Sequence, residues 1–300
     1  MSQHPPSPSF IPVPLTKRTV EVPPFLLPGH TIAFKPSGGG RALNLTIIKP
    51  FVPFTKSAAL LVRSEQWGCN RPMVIKIFDP RFLDERLHMG CKKWRPPEWT
   101  LAAEAAANHH PDIQENDVRI YKPLDHLEGE ELLARLAFWE KYFRELSYEC
   151  FDSEWQAYER LRDYQGSVIP RMFMRGSVIH PDERAIHPPA VIIEYIPDPL
   201  PLRDVTPGAV DVDICIPLIR AVDTFGSHGL FHGDVNLNNV LFSPRTPRPT
   251  RAVLIDFGCA GFRFDNQNDE DWEVQVQVHA DSLWIRKHLR EQGVPIPEDI

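Results

Sequence analysis

Residues 231 to 242 read Phe-His-Gly-Asp-Val-Asn-Leu-Asn-Asn-Val-Leu-Phe. After a linker, the apolar run Ala252-Val253-Leu254-Ile255 delivers Asp256-Phe257-Gly258. Asp234 can orient a hydroxyl and take its proton, Asn239 can lend an oxygen to a divalent cation, and Asp256, at a strand end, can grip that cation. These are the parts needed to move a phosphoryl group from a magnesium-bound nucleoside triphosphate. Taken singly, each has an ordinary explanation: Asp234 as a loop cap, His232 as a satisfied core histidine. Together and in this order they point to chemistry.

Two residues upstream extend the set. Lys76 interrupts Met73-Val74-Ile75-Lys76-Ile77-Phe78, a run apolar on both faces of a strand, and an ammonium there needs a partner. A lysine that snorkels to the strand edge is the plainer reading. Glu154 is the best-placed carboxylate, because it shares a helical face with Phe151, Ala157, Tyr158 and Leu161, whereas Glu149 and Glu159 fall elsewhere. A glutamate on an apolar stripe either lies at its edge or pairs with a buried cation.

The elements that must position these residues can be read from periodicity. Leu45–Ile48, Ala58–Val62 and Met73–Phe78 are predicted as sequential antiparallel strands, with the first two joined by Phe51-Val52-Pro53-Phe54-Thr55-Lys56-Ser57. Helices are predicted over 98–108, 128–149 and 153–164, followed by a short extended stretch at Val168-Ile169, a strand over 190–196 and a helix over 210–225. A last helix over 270–291 would place Trp272, Val276, Ala280 and Leu283 on one face, with Gly293 as its stop. Prolines recur through residues 1–43 and Gly38-Gly39-Gly40 follows them, so that span reads as an arm without regular structure. The expected organisation is an arm over 1–43, a smaller unit over 44–196 carrying a helical insertion at 83–150, and a second unit over 197–300. Arg245, Arg248 and Arg251 fall in a linker that reads as a solvated loop, whose Ser-Pro and Thr-Pro pairs are weak phosphorylation candidates.

Bulk properties narrow the classes. With 300 residues and 42% hydrophobic content the chain can bury a sizeable core. The net charge of -7 gives no basic field for nucleic acid. Five cysteines without a C-x-x-C pair, and histidines without ligand spacing, argue against a disulfide framework and a zinc site. No leader-like or spanning apolar stretch occurs, so an intracellular, cytoplasmic location is expected with the nucleus left open, and no membrane partner.

These motifs resemble the protein kinase-like superfamily, and more closely the atypical kinase-domain proteins common in fungi, over roughly residues 44–290. The resemblance implies an α+β bilobal fold with a small antiparallel-sheet upper lobe and a shortened helical lower lobe, with ATP and Mg2+ in the cleft. By the same resemblance, Asp234 orients the acceptor, Lys76 grips the α and β phosphates with Glu154 as its partner, and Asn239 and Asp256 hold magnesium. Val74 and Leu241 would enclose the adenine, backbone groups of Glu194 and Ile196 would meet its edge, and Ile193 would guard the deeper pocket. The pattern departs in four places. The Gly-x-Gly-x-x-Gly loop is replaced by residues 51–57, where Thr55, Lys56 and Ser57 offer hydroxyls or charge, or only a solvated turn. Gly233 replaces an arginine that binds a phosphorylated loop, and Asn236 replaces a phosphate-contacting lysine. No Ala-Pro-Glu motif follows Gly258, which leaves little chain for a peptide platform. The implied activity is transfer of the γ-phosphoryl of MgATP to a hydroxyl, with a protein Ser/Thr acceptor leading. The alternatives are a nucleotide-binding pseudokinase acting as an interaction module and a small-molecule kinase of aminoglycoside-phosphotransferase type.

Overall fold

The computed structural model describes residues 22–67, 71–88, 96–111, 124–246 and 248–297. Residues 1–21 of the expected arm, 89–95 and 112–123 of the insertion, Cys69, Cys91 and Pro247 lie outside the described residues.

Strands β1 (Thr31–Pro36), β2 (Leu43–Phe51), β3 (Ala58–Arg63), β4 (Met73–Ile77), β5 (Met172–Ile179) and β6 (Pro189–Glu194) form a closed antiparallel barrel in the order β1-β2-β3-β4-β6-β5. This corrects the expected bilobal architecture with an open sheet. The cause is β1, which comes from the span read as an arm. It pairs with β2 through Ile32↔Leu45 and with β5 through Phe34↔Val178, so the two edges of the sheet are joined rather than exposed. Prolines 28 and 36 sit before and at the end of β1, while Ile32 and Phe34 alternate inward and are buried.

Alternation divides the strands between two cores. Ile32, Phe34, Leu45, Ile47, Leu60, Val62, Ile75, Ile77, Val178, Ala190 and Ile192 fill the barrel. On the outward face, Val74, Val191 and Ile193 join a second core with Phe78, Ala157, Tyr158 and the residues below, and Lys76 shares that face.

Helices α1 (Asp84–His88) and α2 (Leu101–Ala107) precede α3 (Gly129–Arg160), which runs unbroken for 32 residues. The separate helices expected over 128–149 and 153–164 are thus largely one, because nothing between Glu149 and Ser153 breaks a helix; Arg162–Tyr164 forms a short 3-10 turn beyond it. The first half of α3 packs Phe138, Trp139 and Phe143 against Leu83, and the second half carries Glu154.

Below the barrel lie β7 (Leu200–Pro201), α4 (Val212–Thr224), β8 (Leu230–Phe231), β9 (Val240–Ser243), β10 (Arg251–Leu254), β11 (Gly261–Phe262), α5 (Asp269–His279) and α6 (Asp281–Glu291). The strands form two small sheets, β10-β9-β7 and β11-β8. The single final helix expected over 270–291 is two helices. Ala280 between them adopts φ 53°, so Leu283 turns out to solvent instead of sharing the face of Trp272. Arg251 is also no solvated linker residue. It lies in β10 and its guanidinium binds Glu194 at 2.6 Å and the Ile169 carbonyl. Among the described residues, no helix is long and apolar enough to cross a membrane.

Candidate functional site

Strand β4 presents Lys76 on the outer face of the barrel, directly over α3, and α3 presents Glu154 one turn before Tyr158. Lys76 Nζ donates to Glu154 Oε2 at 2.6 Å and to Asp256 Oδ1 at 2.6 Å. Residues 76, 154 and 256, remote in sequence, therefore meet at one ammonium. Glu154 is fully buried and Lys76 nearly so, while the Asp256 carboxylate is about one-third exposed and opens the cluster to solvent.

The electrostatics follow from that burial. Desolvation opposes charge on Lys76, yet Asp256 and Glu154 together hold its pKa above the usual lysine range. Burial pushes the Glu154 carboxyl up against the pull of Lys76. Burial also acts to raise Asp256, but the Lys76 ammonium and its hydrogen bond overcome this and hold the carboxyl below its usual range. Asp256 thus stays an anion, with a backbone φ of 69° that few side chains tolerate and that aspartate accepts better than most.

The loop between β8 and β9 carries Asp234, which is held from several sides. Asn236 Nδ2 donates to Asp234 Oδ1 at 3.0 Å and Asn239 Nδ2 to Oδ2 at 3.1 Å and to the Asp234 carbonyl at 2.9 Å. The Asp234 N–H donates to His232 Nδ1 at 3.2 Å. That bond leaves the ring proton on Nε2, which donates to the Ile255 carbonyl at 3.0 Å. Burial lowers the His232 pKa despite the acids around it, in keeping with the neutral ring. The Ile255 N–H in turn donates to the Asn239 carbonyl, joining the Asn239 loop to the residue before Asp256. Phe257, fully buried, packs edge-on to Tyr158 of α3 and against the His232 ring, so the two halves of the site share one apolar bridge.

Gly233 cannot be replaced without strain. Its φ is 74°, and a Cβ there would approach the Cys259 carbonyl oxygen to 2.6 Å.

Asp281 was not anticipated. From the first turn of α6, its buried carboxylate accepts the backbone N–H groups of His232 and Gly233, the latter at 3.1 Å, and so fixes the approach to Asp234. In the single helix expected over 270–291 Asp281 is an interior residue, and nothing local marks it as the partner of two loop amides.

The residues expected around the adenine take more scattered positions. Val74 lies opposite Ile193 in the β4–β6 pair, and Leu241 lies opposite Pro201 and Val253 on β9. Glu194 ends β6, where its N–H donates to the Arg171 carbonyl and its side chain faces Arg251 and the Arg171 N–H. Ile196 is buried just beyond.

Among the described residues, no group of three or more His, Cys, Asp or Glu side chains is gathered for a metal. A different donor set is available. Asn239 Nδ2 is committed to Asp234, which leaves its Oδ1 as an acceptor, and the Asp256 carboxylate is partly exposed; both are oxygen donors of the kind that could hold a hard divalent cation. No protein-family model matches the chain, and no curated protein matches it.

Proposed function

We propose that this chain is an ATP-dependent phosphotransferase that moves the γ-phosphoryl group of MgATP to a hydroxyl, with a protein Ser/Thr acceptor as the leading class. The chemistry is of the kind that the resemblance to the protein kinase-like superfamily implies. The observation that carries this reading is the double engagement of Lys76 by Glu154 and Asp256, beside an Asp234 held by Asn236 and Asn239. A purely structural lysine needs one buried partner. Here a second, partly exposed carboxylate shares the lysine, which supports the reading that it can give up the lysine for a phosphate-bound cation.

In this reading Lys76 turns from Asp256 to the α and β phosphates while Glu154 keeps it charged and oriented. Asn239 and Asp256 would hold magnesium, which when bound neutralises developing charge on the phosphate oxygens. Val74 and Leu241 would flank the base and backbone groups of Glu194 and Ile196 would meet its edge, the Glu194 N–H excepted because it is donated to the Arg171 carbonyl. The Asp234 carboxylate, its two oxygens aimed by two side-chain amides, retains lone pairs to accept the acceptor hydroxyl and then its proton. A second reading, a nucleotide-binding module without turnover, is favoured by Asn236, whose amide spends itself on Asp234 where a cation would serve transfer.

Thermal melting with MgATP tests both. At about 100 times the dissociation constant, nucleotide that binds only the folded chain adds ~2.7 kcal/mol. Wild type is expected to show a magnesium-dependent rise, and Lys76→Met combined with Glu154→Gln to lose it. Asp234→Asn should keep the rise and abolish γ-phosphate transfer. No magnesium-dependent rise in wild type overturns the nucleotide site; a rise without transfer in wild type selects the non-catalytic module.

A further inference from the structure

We infer that Lys56 is the phosphate contact that replaces the missing glycine-rich loop, and that Asp84 and Glu85 of α1 hold it in reserve until a polyphosphate arrives. The inference rests on the proposed nucleotide site.

The loop joining β2 and β3 is in the right place. It leads into β3, where Ala58 pairs with Ile77 and Ala59 with Lys76 itself. It is also firmly seated. Phe54 is buried against Phe82 with ring centroids 5.6 Å apart, and the Thr55 carbonyl accepts the Asp84 N–H at 2.9 Å. Pro53 has no N–H, and no glycine lies between Phe51 and Ser57, so backbone amides are poorly supplied to wrap a phosphate. A side-chain cation is what this loop can offer.

Lys56 has the matching geometry. Its ammonium binds Glu85 and lies 3.8 Å from Asp84 Oδ1. All three side chains are roughly one-third exposed, so this pairing is weakly held and screened by water. Lys56 stands three residues before Ala59, the β3 partner of Lys76, so the loop that carries it opens on the Lys76 end of the sheet. The carboxylates, in contrast, are anchored. Arg86, next in α1, forms a buried two-pronged pair with Glu140 of α3 at 2.9 and 2.5 Å. Since loop backbone and α1 are both pinned, the mobile part is the Lys56 side chain, which swings from two carboxylates to the more highly charged phosphates.

Calorimetric titration of the full chain with ATP and with adenosine, in magnesium, tests this. Lys56→Gln is expected to weaken ATP binding about tenfold and leave adenosine unchanged, with Lys56→Arg retaining most of the affinity. Glu85→Gln, by freeing the lysine, is expected to tighten ATP several-fold. These opposite signs separate phosphate competition from a structural role, which would weaken both ligands in both variants. ATP affinity unchanged in Lys56→Gln, equal losses of ATP and adenosine, or weaker ATP binding in Glu85→Gln each overturns the inference while wild-type binding leaves the nucleotide site standing. Wild type that binds neither ligand overturns both.

Discussion

Asp281 accepts two successive backbone amides, those of His232 and Gly233, and a carboxylate is the side chain that can do so with both oxygens. Asparagine is nearly the same size but turns an NH2 group toward one of those donors. An N–H left unpaired in a buried site costs about 1–3 kcal/mol, and the loop is expected to relieve this by shifting Asp234. Displacement of a catalytic group by about 1 Å can cost 10²-fold in rate. For the proposed phosphotransfer, Asp281→Asn is therefore expected to lower kcat by at least tenfold while KM for ATP changes less, because the Lys76–Glu154 pair lies outside the hydrogen bonds that run from Asp281 through His232. Steady-state kinetics decide the matter, and an equal loss in ATP affinity would remove Asp281 from this role. At this scale the sequence was most readable for the pairing of Lys76 with Glu154, since an ammonium on a strand apolar on both faces and a carboxylate on an apolar helical stripe each need a buried partner. It was least readable for Asp281, whose role exists only after α6 has folded back on the loop.

At the level of elements, the insertion is clamped to the barrel by charge. Asp79, fully buried just past β4, accepts from Arg81 and from Arg184 of the β5–β6 connection, with His180 Nε2 at 3.2 Å. Arg184 also pairs with Glu104 of α2 at 2.6 Å. Burial would raise the Asp79 carboxyl, but His180, Arg184 and Arg81 hold it well below the usual carboxylate range. The sign follows: the unfolded chain takes up the proton at higher pH than the folded one, so this contribution is complete above about pH 4 and is lost as pH falls toward the folded value. Asp79→Asn leaves Arg81 with Asp182 and Arg184 with Glu104 but removes the carboxylate that lies between them, and is expected to cost about 1–3 kcal/mol at pH 7 and to flatten the acid limb of stability below about pH 4. Urea midpoints against pH test this, and a variant with an acid limb as steep as wild type would refute it. Sequence patterns gave the helical character of α2 and α3, since that depends on neighbours three and four apart. The fusion of the two helices expected over 128–149 and 153–164 was hidden because the gap, Cys150-Phe151-Asp152, carries neither a helix breaker nor a strong helix former, and its helical state depends on packing Cys150 and Phe151 against the lower core.

The whole molecule differs most from expectation in the closure of the barrel, and its seam lies where the sequence appears least structured. Strand β1 follows a proline-rich stretch, and β5 holds Arg175 and Gly176 in a run whose buried positions are Gly176 and Val178, with Met174 only partly covered. Neither strand stands out locally, because each is stabilised by the pairing with the other, a contact spanning more than a hundred residues. Gly176 is the residue that permits it. Opposite Pro36 in the β1–β5 register, it has no side chain, and a Cβ there would overlap the Lys35 carbonyl oxygen and lie 2.7 Å from the Phe34 ring. Both neighbours belong to β1, one of them backbone, so the strand itself must give way. Gly176→Ala is expected to destabilise the fold by about 1–3 kcal/mol, the usual cost of overpacking a well-filled interior. The loss should localise to the seam: amide exchange should accelerate in β1 and along β5, while β4, bound on both sides by β3 and β6, keeps its protection and holds Lys76 against Glu154. Exchange measured residue by residue separates this from general loosening, and wild-type protection throughout β1 in Gly176→Ala would show that the barrel does not close through that glycine.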